Sequence, residues 1–159
     1  MLFVDAEPRE SKIAGTGLFL RAPVRKGAVV SIHGVDAKLL TQSEYEEEQR
    51  KGNELAIRSG IRWVGRYFLH ARKMPLESYI NHSDDPSLLY HCAVSFARRD
   101  LNAGDELTID YTGFLAEDDP EGFLDIATGR MLRGLPPKEA LLRSSEQLAQ
   151  LLREIDQIP

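Results

Sequence analysis

Two stretches, Ser78-Tyr79-Ile80-Asn81-His82-Ser83 and, further along, Gly104-Asp105-Glu106-Leu107-Thr108-Ile109-Asp110-Tyr111, decide how this chain is read. Asn81 and His82 follow an apolar residue and precede Asp84-Asp85-Pro86. Their side chains can therefore stitch a loop crossing or hydrogen-bond a ligand. Residues 108–111 read as a short strand ending in a tyrosine, which on its own reads as a core aromatic. Upstream, Gly15-Thr16-Gly17-Leu18-Phe19 supplies two glycines through which backbone can approach a ligand closely. It is no Rossmann fingerprint, because the third glycine and the preceding strand are missing.

Around these blocks the pattern is that of a turn-rich β protein. Twelve Gly and eight Pro lie scattered between short β-branched and aromatic runs. Residues 18–22 and 28–32 read as an antiparallel pair joined by a turn at Pro23 and Lys26-Gly27. Thr41-Gln42-Ser43-Glu44 is a capping box opening a short polar helix that Gly52 ends, an insertion over about residues 41–52. Residues 54–59 and 61–69 flank Ser59-Gly60 and read as a second hairpin. Residues 88–97 form a further apolar run. From Pro136 the period becomes helical, with Leu141, Leu148, Leu151, Leu152, Ile155 and Ile158 at spacings of three, four and seven. Pro137 suits the first helical position, Ser144-Ser145 is a point where the helix can kink, and the apolar face offers a homodimer contact.

Composition narrows the function classes. A chain of 159 residues, 42% hydrophobic, is the size of one domain with one core. Its formal net charge is −5, with acidic bunches at Glu44-Tyr45-Glu46-Glu47-Glu48 and Glu117-Asp118-Asp119-Pro120-Glu121. Direct nucleic-acid binding is disfavoured, since phosphate neutralisation needs a basic face, whereas a Lys-rich peptide would be attracted. The single cysteine, Cys92, reads as a small buried hydrophobe in a strand and permits no cysteine-rich zinc site. No histidine shares ligand spacing with another, so no metal is expected. No apolar run is long enough for a membrane span, and residues 1–5 lack a basic start, so a cytoplasmic protein away from membranes is expected.

Taken in order, Gly15-Thr16-Gly17-Leu18-Phe19, Lys26-Gly27-Ala28-Val29-Val30, the Asn81-His82-Ser83 stretch and the Tyr111 stretch resemble the SET-domain protein-lysine N-methyltransferases over residues 9–112, in a minimal, bacterial form. The resemblance implies a mainly β fold: a SET-type β-clip of small sheets with a knot-like crossing, one helical insertion and a C-terminal helix. Residues 1–112 would be the catalytic core, and residues 113–159 a post-core segment of the same domain. The implied activity is in-line methyl transfer from S-adenosylmethionine to the ε-amine of a protein lysine. The alternative is a weakly active or inactive cofactor- or peptide-binding module of the same fold.

In the resembled family Tyr111 falls on the catalytic tyrosine. Gly15, Thr16, Gly17, Asn81, His82 and Phe114 fall on or beside the cofactor site. Tyr90, Tyr67 and Tyr79 are the expected walls of the lysine channel, and Tyr90 falls where an aromatic sets how many methyl groups fit. The chemistry asks for such a channel. A free lysine has a pKa of about 10.4, so making it neutral at pH 7 costs roughly 4–5 kcal/mol, a cost that desolvation and a nearby sulfonium lower.

The chain also departs from the family. Zinc-binding cysteines are missing, Asp84 replaces a common cysteine, Ser87 an asparagine and Ser78 an arginine, and Ile32 stands where many members carry a tyrosine. Residues 112–127 are therefore expected to close the channel without metal, with Phe114 and Phe123 as the aromatics and the acidic run meeting a basic peptide.

Overall fold

The computed structural model of the chain describes residues 1–117 and 123–157. Most of the second acidic run, Asp118, Asp119 and Glu121, and Ile158 thus lie outside the described residues. In chain order the elements are β1 (Ala6–Glu10), β2 (Thr16–Leu20), β3 (Val29–Ile32), β4 (Ala37–Thr41), α1 (Gln42–Arg50), α2 (Glu54–Ser59), β5 (Ile61–Arg62), β6 (Tyr67–Ala71), β7 (Asn81–His82), β8 (Leu88–His91), β9 (Val94–Ala97), β10 (Glu106–Ile109), β11 (Phe123–Asp125), β12 (Arg130–Leu132) and α3 (Pro137–Arg153). The 3-10 turns Leu76–Tyr79 and Tyr111–Gly113 precede β7 and follow β10. The fold is mainly β, with strands gathered in small sheets ordered β1-β2-β10-β7, β3-β9-β8, β4-β6-β5 and β11-β12.

The pairing that matters most is parallel: Thr108 lies beside Asn81 and Ile109 beside His82, although the two segments are far apart in the chain. It puts the Asn81 block against the Tyr111 block. The adjoining β2 buries Leu18 and Leu20, and β10 buries Leu107 and Ile109. These four, with Val30, Leu88 and Ile80, form the centre of the main core.

Several local expectations give way to tertiary context. β2 and β3 do not pair with each other, since β2 pairs with β1 and β10, and β3 with β9. Between them Val24 exchanges backbone hydrogen bonds with Leu101, at 2.9 and 2.8 Å, so this connection carries the chain from one sheet to the next. Residues 54–59 form a helix instead of a hairpin arm. The Asn53 side chain accepts the Ala56 amide at 3.3 Å, capping the helix, and Ala56 packs fully buried in a satellite core with Leu40, Tyr45 and Phe68. Tyr45 and Phe68 stack at 4.4 Å, 6° from parallel. A second cluster therefore accompanies the single expected core. Only Ile61–Arg62 of the expected second hairpin arm pairs with β6.

The insertion helix follows its sequence signals. The Thr41 amide donates to Glu44 Oε2 at 2.8 Å and the Glu44 amide to Thr41 Oγ1 at 3.4 Å, a reciprocal cap. Cys92 is not in a strand: with Ala93 it forms the two-residue turn between β8 and β9, at φ of +48° and +70°, half-buried. α3 runs unbroken through Ser144-Ser145, where the Ser144 hydroxyl donates back to Leu141 O at 3.1 Å and sits 3.0 Å from His91 Nδ1. It stops at Arg153, buries Ala140 and Leu151, and leaves Leu141, Leu142 and Leu152 exposed. Among the described residues no helix is long and apolar enough to cross a membrane.

Candidate functional site

The sheets enclose a cleft of about 590 Å³, a size typical of small-molecule sites. Gly15, Thr16 and Asn81 line one side and residues 57–60 of α2 and its end another, with Tyr111, Phe114 and Tyr90 among the aromatic lining. The two sequence blocks thus meet at one cavity.

Tyr111 is presented by the 3-10 turn after β10. Asp110 caps that turn by accepting the Thr112 amide at 3.0 Å and the Thr112 hydroxyl at 2.7 Å. The Tyr111 hydroxyl donates to the Ile80 carbonyl at 2.7 Å, and the Tyr111 amide donates to His82 Nδ1 at 3.2 Å. Phe114 and Phe123 pack on the ring at 5.1 and 4.9 Å between centroids. Burial pushes the phenol pKa up to about 12. At neutral pH the group therefore stays protonated, and its oxygen and the Ile80 carbonyl together offer lone pairs to a positively polarised carbon.

On the opposite side Gly15 adopts φ +45°, and a Cβ there would meet nothing within 4 Å, so backbone is open to the cleft. Gly17 does not line the cleft. A Cβ on it would lie 2.2 Å from Glu106 Oε1, so its bareness makes room for that carboxylate. Glu106 accepts the Ser11 hydroxyl at 2.8 and 3.0 Å and Asn81 Nδ2 at 2.9 Å. Asn81 Nδ2 also donates to Ala14 O at 3.1 Å. The amide nitrogen of Asn81 thus stitches the glycine turn to β10, while its residue faces the cleft. His82 is buried behind the wall and is not among the lining residues.

The expected channel residues separate. Tyr90 and Tyr79 line the cleft; Tyr67 does not, being half exposed on β6 opposite Thr41, because strand alternation turns Phe68 inward and Tyr67 outward. The Tyr90 hydroxyl is already committed to Arg62 O at 2.9 Å, and its ring meets Phe114 at 5.2 Å. Burial raises its pKa far above the usual phenol range. His33, next to Ile32, also lines the cleft; its Nε2 sits 3.1 Å from Ser31 Oγ and 3.0 Å from Ser95 Oγ. Burial and, secondarily, repulsion from the terminal ammonium lower its pKa to about 4, so it is neutral at pH 7. Its place in the cleft has no signal in the sequence, nor has that of the Ile80 carbonyl or the end of α2, since carbonyls carry no side-chain signal and α2 reads as a strand.

The SET-domain family model matches residues 15–112, more than half of the chain. The chain belongs to the SET-domain family. Among solved structures it is similar to the Neurospora SET domain protein DIM-5, a histone lysine methyltransferase, with a TM-score of 0.53 and 17% identity. That match covers 69% of this chain and 53% of the other, so the chain spans about half the length of that protein, and the likeness is one of fold. No curated protein matches the chain in sequence.

The SET match ends just after Tyr111, so Phe114 and Phe123 are contributed from beyond it. Phe114 is fixed by backbone: its amide donates to Tyr111 O at 3.1 Å and its carbonyl accepts the Arg62 amide at 2.8 Å. Phe123 sits on the β11–β12 hairpin. Among the described residues no group of three or more His, Cys, Asp or Glu side chains is placed to hold a metal.

Proposed function

We propose that this SET-domain protein transfers a methyl group from S-adenosylmethionine to the ε-amine of a protein lysine. The observation that carries the reading is Tyr111: a half-buried, protonated phenol fixed on the Ile80 carbonyl and ringed by Phe114 and Phe123, in the same cleft as the open Gly15 backbone. The cofactor, when bound, would supply an electrophilic methyl on a sulfonium. Gly15, Thr16 and Asn81 would hold it, with Phe114 and Tyr79 as apolar surface; the cleft volume fits a ligand of that size.

The chain's own residues then do four things. The aromatic walls of Phe114, Tyr90 and Phe123 exclude water and disfavour an ammonium, so a lysine entering there loses its proton more readily. The Tyr111 oxygen and the Ile80 carbonyl orient the reacting groups, and alignment supplies most of the rate. Tyr90, its hydroxyl tied to Arg62 O, limits the space around the amine. The exposed acidic face of α1 (Glu44, Glu46, Glu47) favours a basic peptide.

Incubating the protein with labelled S-adenosylmethionine and a cell lysate, followed by mass spectrometry of labelled proteins, tests the reading. Label on lysine supports it. Calorimetric binding of the cofactor with no label on any protein would favour a binding module, to which Ile32, lacking the hydroxyl many relatives carry, is the pointer. No binding at millimolar cofactor would defeat both.

A further inference from the structure

The β11–β12 hairpin lies beyond the SET match yet reaches the reacting centre twice. Directly, Phe123 sets its ring edge-on to Tyr111 at 4.9 Å. Indirectly, Arg130 Nη2 donates to both oxygens of Asp84 at 2.7 Å, and Asp84 Oδ1 lies 3.5 Å from His82 Nε2. His82 Nδ1 in turn accepts the Tyr111 amide at 3.2 Å. Asp125, cross-strand from Arg130, is buried and closes the hairpin turn by accepting the Ala127 amide at 3.1 Å and the Thr128 hydroxyl.

The tautomer of His82 follows from these contacts. Since Nδ1 is an acceptor, the proton of the neutral ring sits on Nε2, aimed at Asp84. The His82 side chain is only 4% exposed, and Nε2 makes no hydrogen bond among the described residues, the Asp84 carboxylate standing 3.5 Å away. A buried N–H without a hydrogen bond is sensitive to where a neighbouring acceptor sits. Asp84 itself is 64% exposed and would turn to water if nothing held it; the two-point contact with Arg130 is what fixes it.

We propose that Arg130 and Asp84 are positioning residues for Tyr111: the hairpin orients the tyrosine from two sides, its ring through Phe123 and its backbone through Asp84 and His82. An exposed ion pair contributes little to global stability, so its consequence is local geometry. The proposal rests on the methyl-transfer reading only for its kinetic readout.

The test uses the full chain with Arg130→Gln, Arg130→Lys and Asp84→Asn. Amide hydrogen exchange of the Tyr111 N–H, which reports the bond to His82 directly, and of residues 123–132 needs no activity. Arg130→Gln and Asp84→Asn should speed exchange at Tyr111 about tenfold with the melting temperature unchanged, and Arg130→Lys should restore most of the protection. In the kinetic arm kcat should fall about tenfold in Arg130→Gln while cofactor Kd stays the same. Unchanged exchange at Tyr111 in a hairpin that has loosened would overturn the proposal. Faster exchange at Tyr111 in a protein that transfers no methyl would leave the positioning intact and defeat the functional reading instead.

Discussion

The glycine-turn wall of the cleft and its hairpin wall are held by different forces. Around Gly15 and Asn81, the β7–β10 ladder, the Asn81 amide and the Glu106 carboxylate are knitted into part-buried hydrogen bonds between segments distant in sequence. At the hairpin, the contacts that reach Tyr111 and Asp84 are one ring contact and one exposed ion pair. Loss of a part-buried contact strands its partner, whereas an exposed pair dissolves into water at small cost. The first wall should therefore respond to substitution in stability and the second in geometry and rate, with Tyr111 at their junction.

The largest expected effect sits at that junction. Tyr111→Phe keeps the ring between Phe114 and Phe123 but removes the hydroxyl from Ile80 O. Turnover should fall by orders of magnitude with cofactor affinity nearly intact, because the hydroxyl acts mainly in the transition state. Steady-state kinetics with unchanged kcat would remove Tyr111 from the chemistry.

Next comes the cleft's acid sensitivity. His33 has a folded pKa of about 4 against an ordinary 6.5, so the unfolded chain binds its proton more readily. Stability is fully present above pH 6.5 and declines as pH falls towards 4, by about 2 kcal/mol between pH 7 and 5 for a shift of this size. Urea denaturation at the two pH values checks this; His33→Gln should flatten the difference, and a wild-type curve that is already flat counts against the half-buried, neutral ring.

Asn81→Ala tests the knitted wall. It removes the donor to Glu106 and Ala14 O, and should destabilise by about 1–3 kcal/mol while weakening cofactor binding, measured by denaturation and calorimetry. A stability loss without any change in affinity would mean that Asn81 only stitches the loop. The smallest effect is expected at the β8–β9 turn. Cys92→Asn places a residue tolerant of positive φ at +48° and should stabilise by about 0.5–1 kcal/mol, readable in the same melts.

Legibility in the sequence follows the same division. The capping box over residues 41–44 was readable because both partners lie within one helical turn. α3 was readable from its apolar period, apart from the kink expected at Ser144-Ser145, through which the helix runs unbroken. Residues 54–59 misread as a strand because a deciding contact, Ala56 against Tyr45 and Phe68, is not a property of the segment, while the local cap of Asn53 on Ala56 was too short a signal beside it. Pairing of residues 18–22 with 28–32 failed likewise: the partners that win, β1, β10 and β9, include strands far along the chain.

What the sequence determined by itself was the family: ordered blocks ending at Tyr111, the short polar insertion and the absence of clustered cysteines. Tertiary structure alone decided how those residues are used. Gly17 makes room for Glu106, His82 backs Tyr111 from behind the cleft wall, Tyr67 faces outward, and Arg130 reaches Asp84. Each of these joins groups that are distant in the chain or turned by strand alternation. Residue identity sets what a side chain can bond, but which partner stands within 3 Å is fixed only once the sheets have closed.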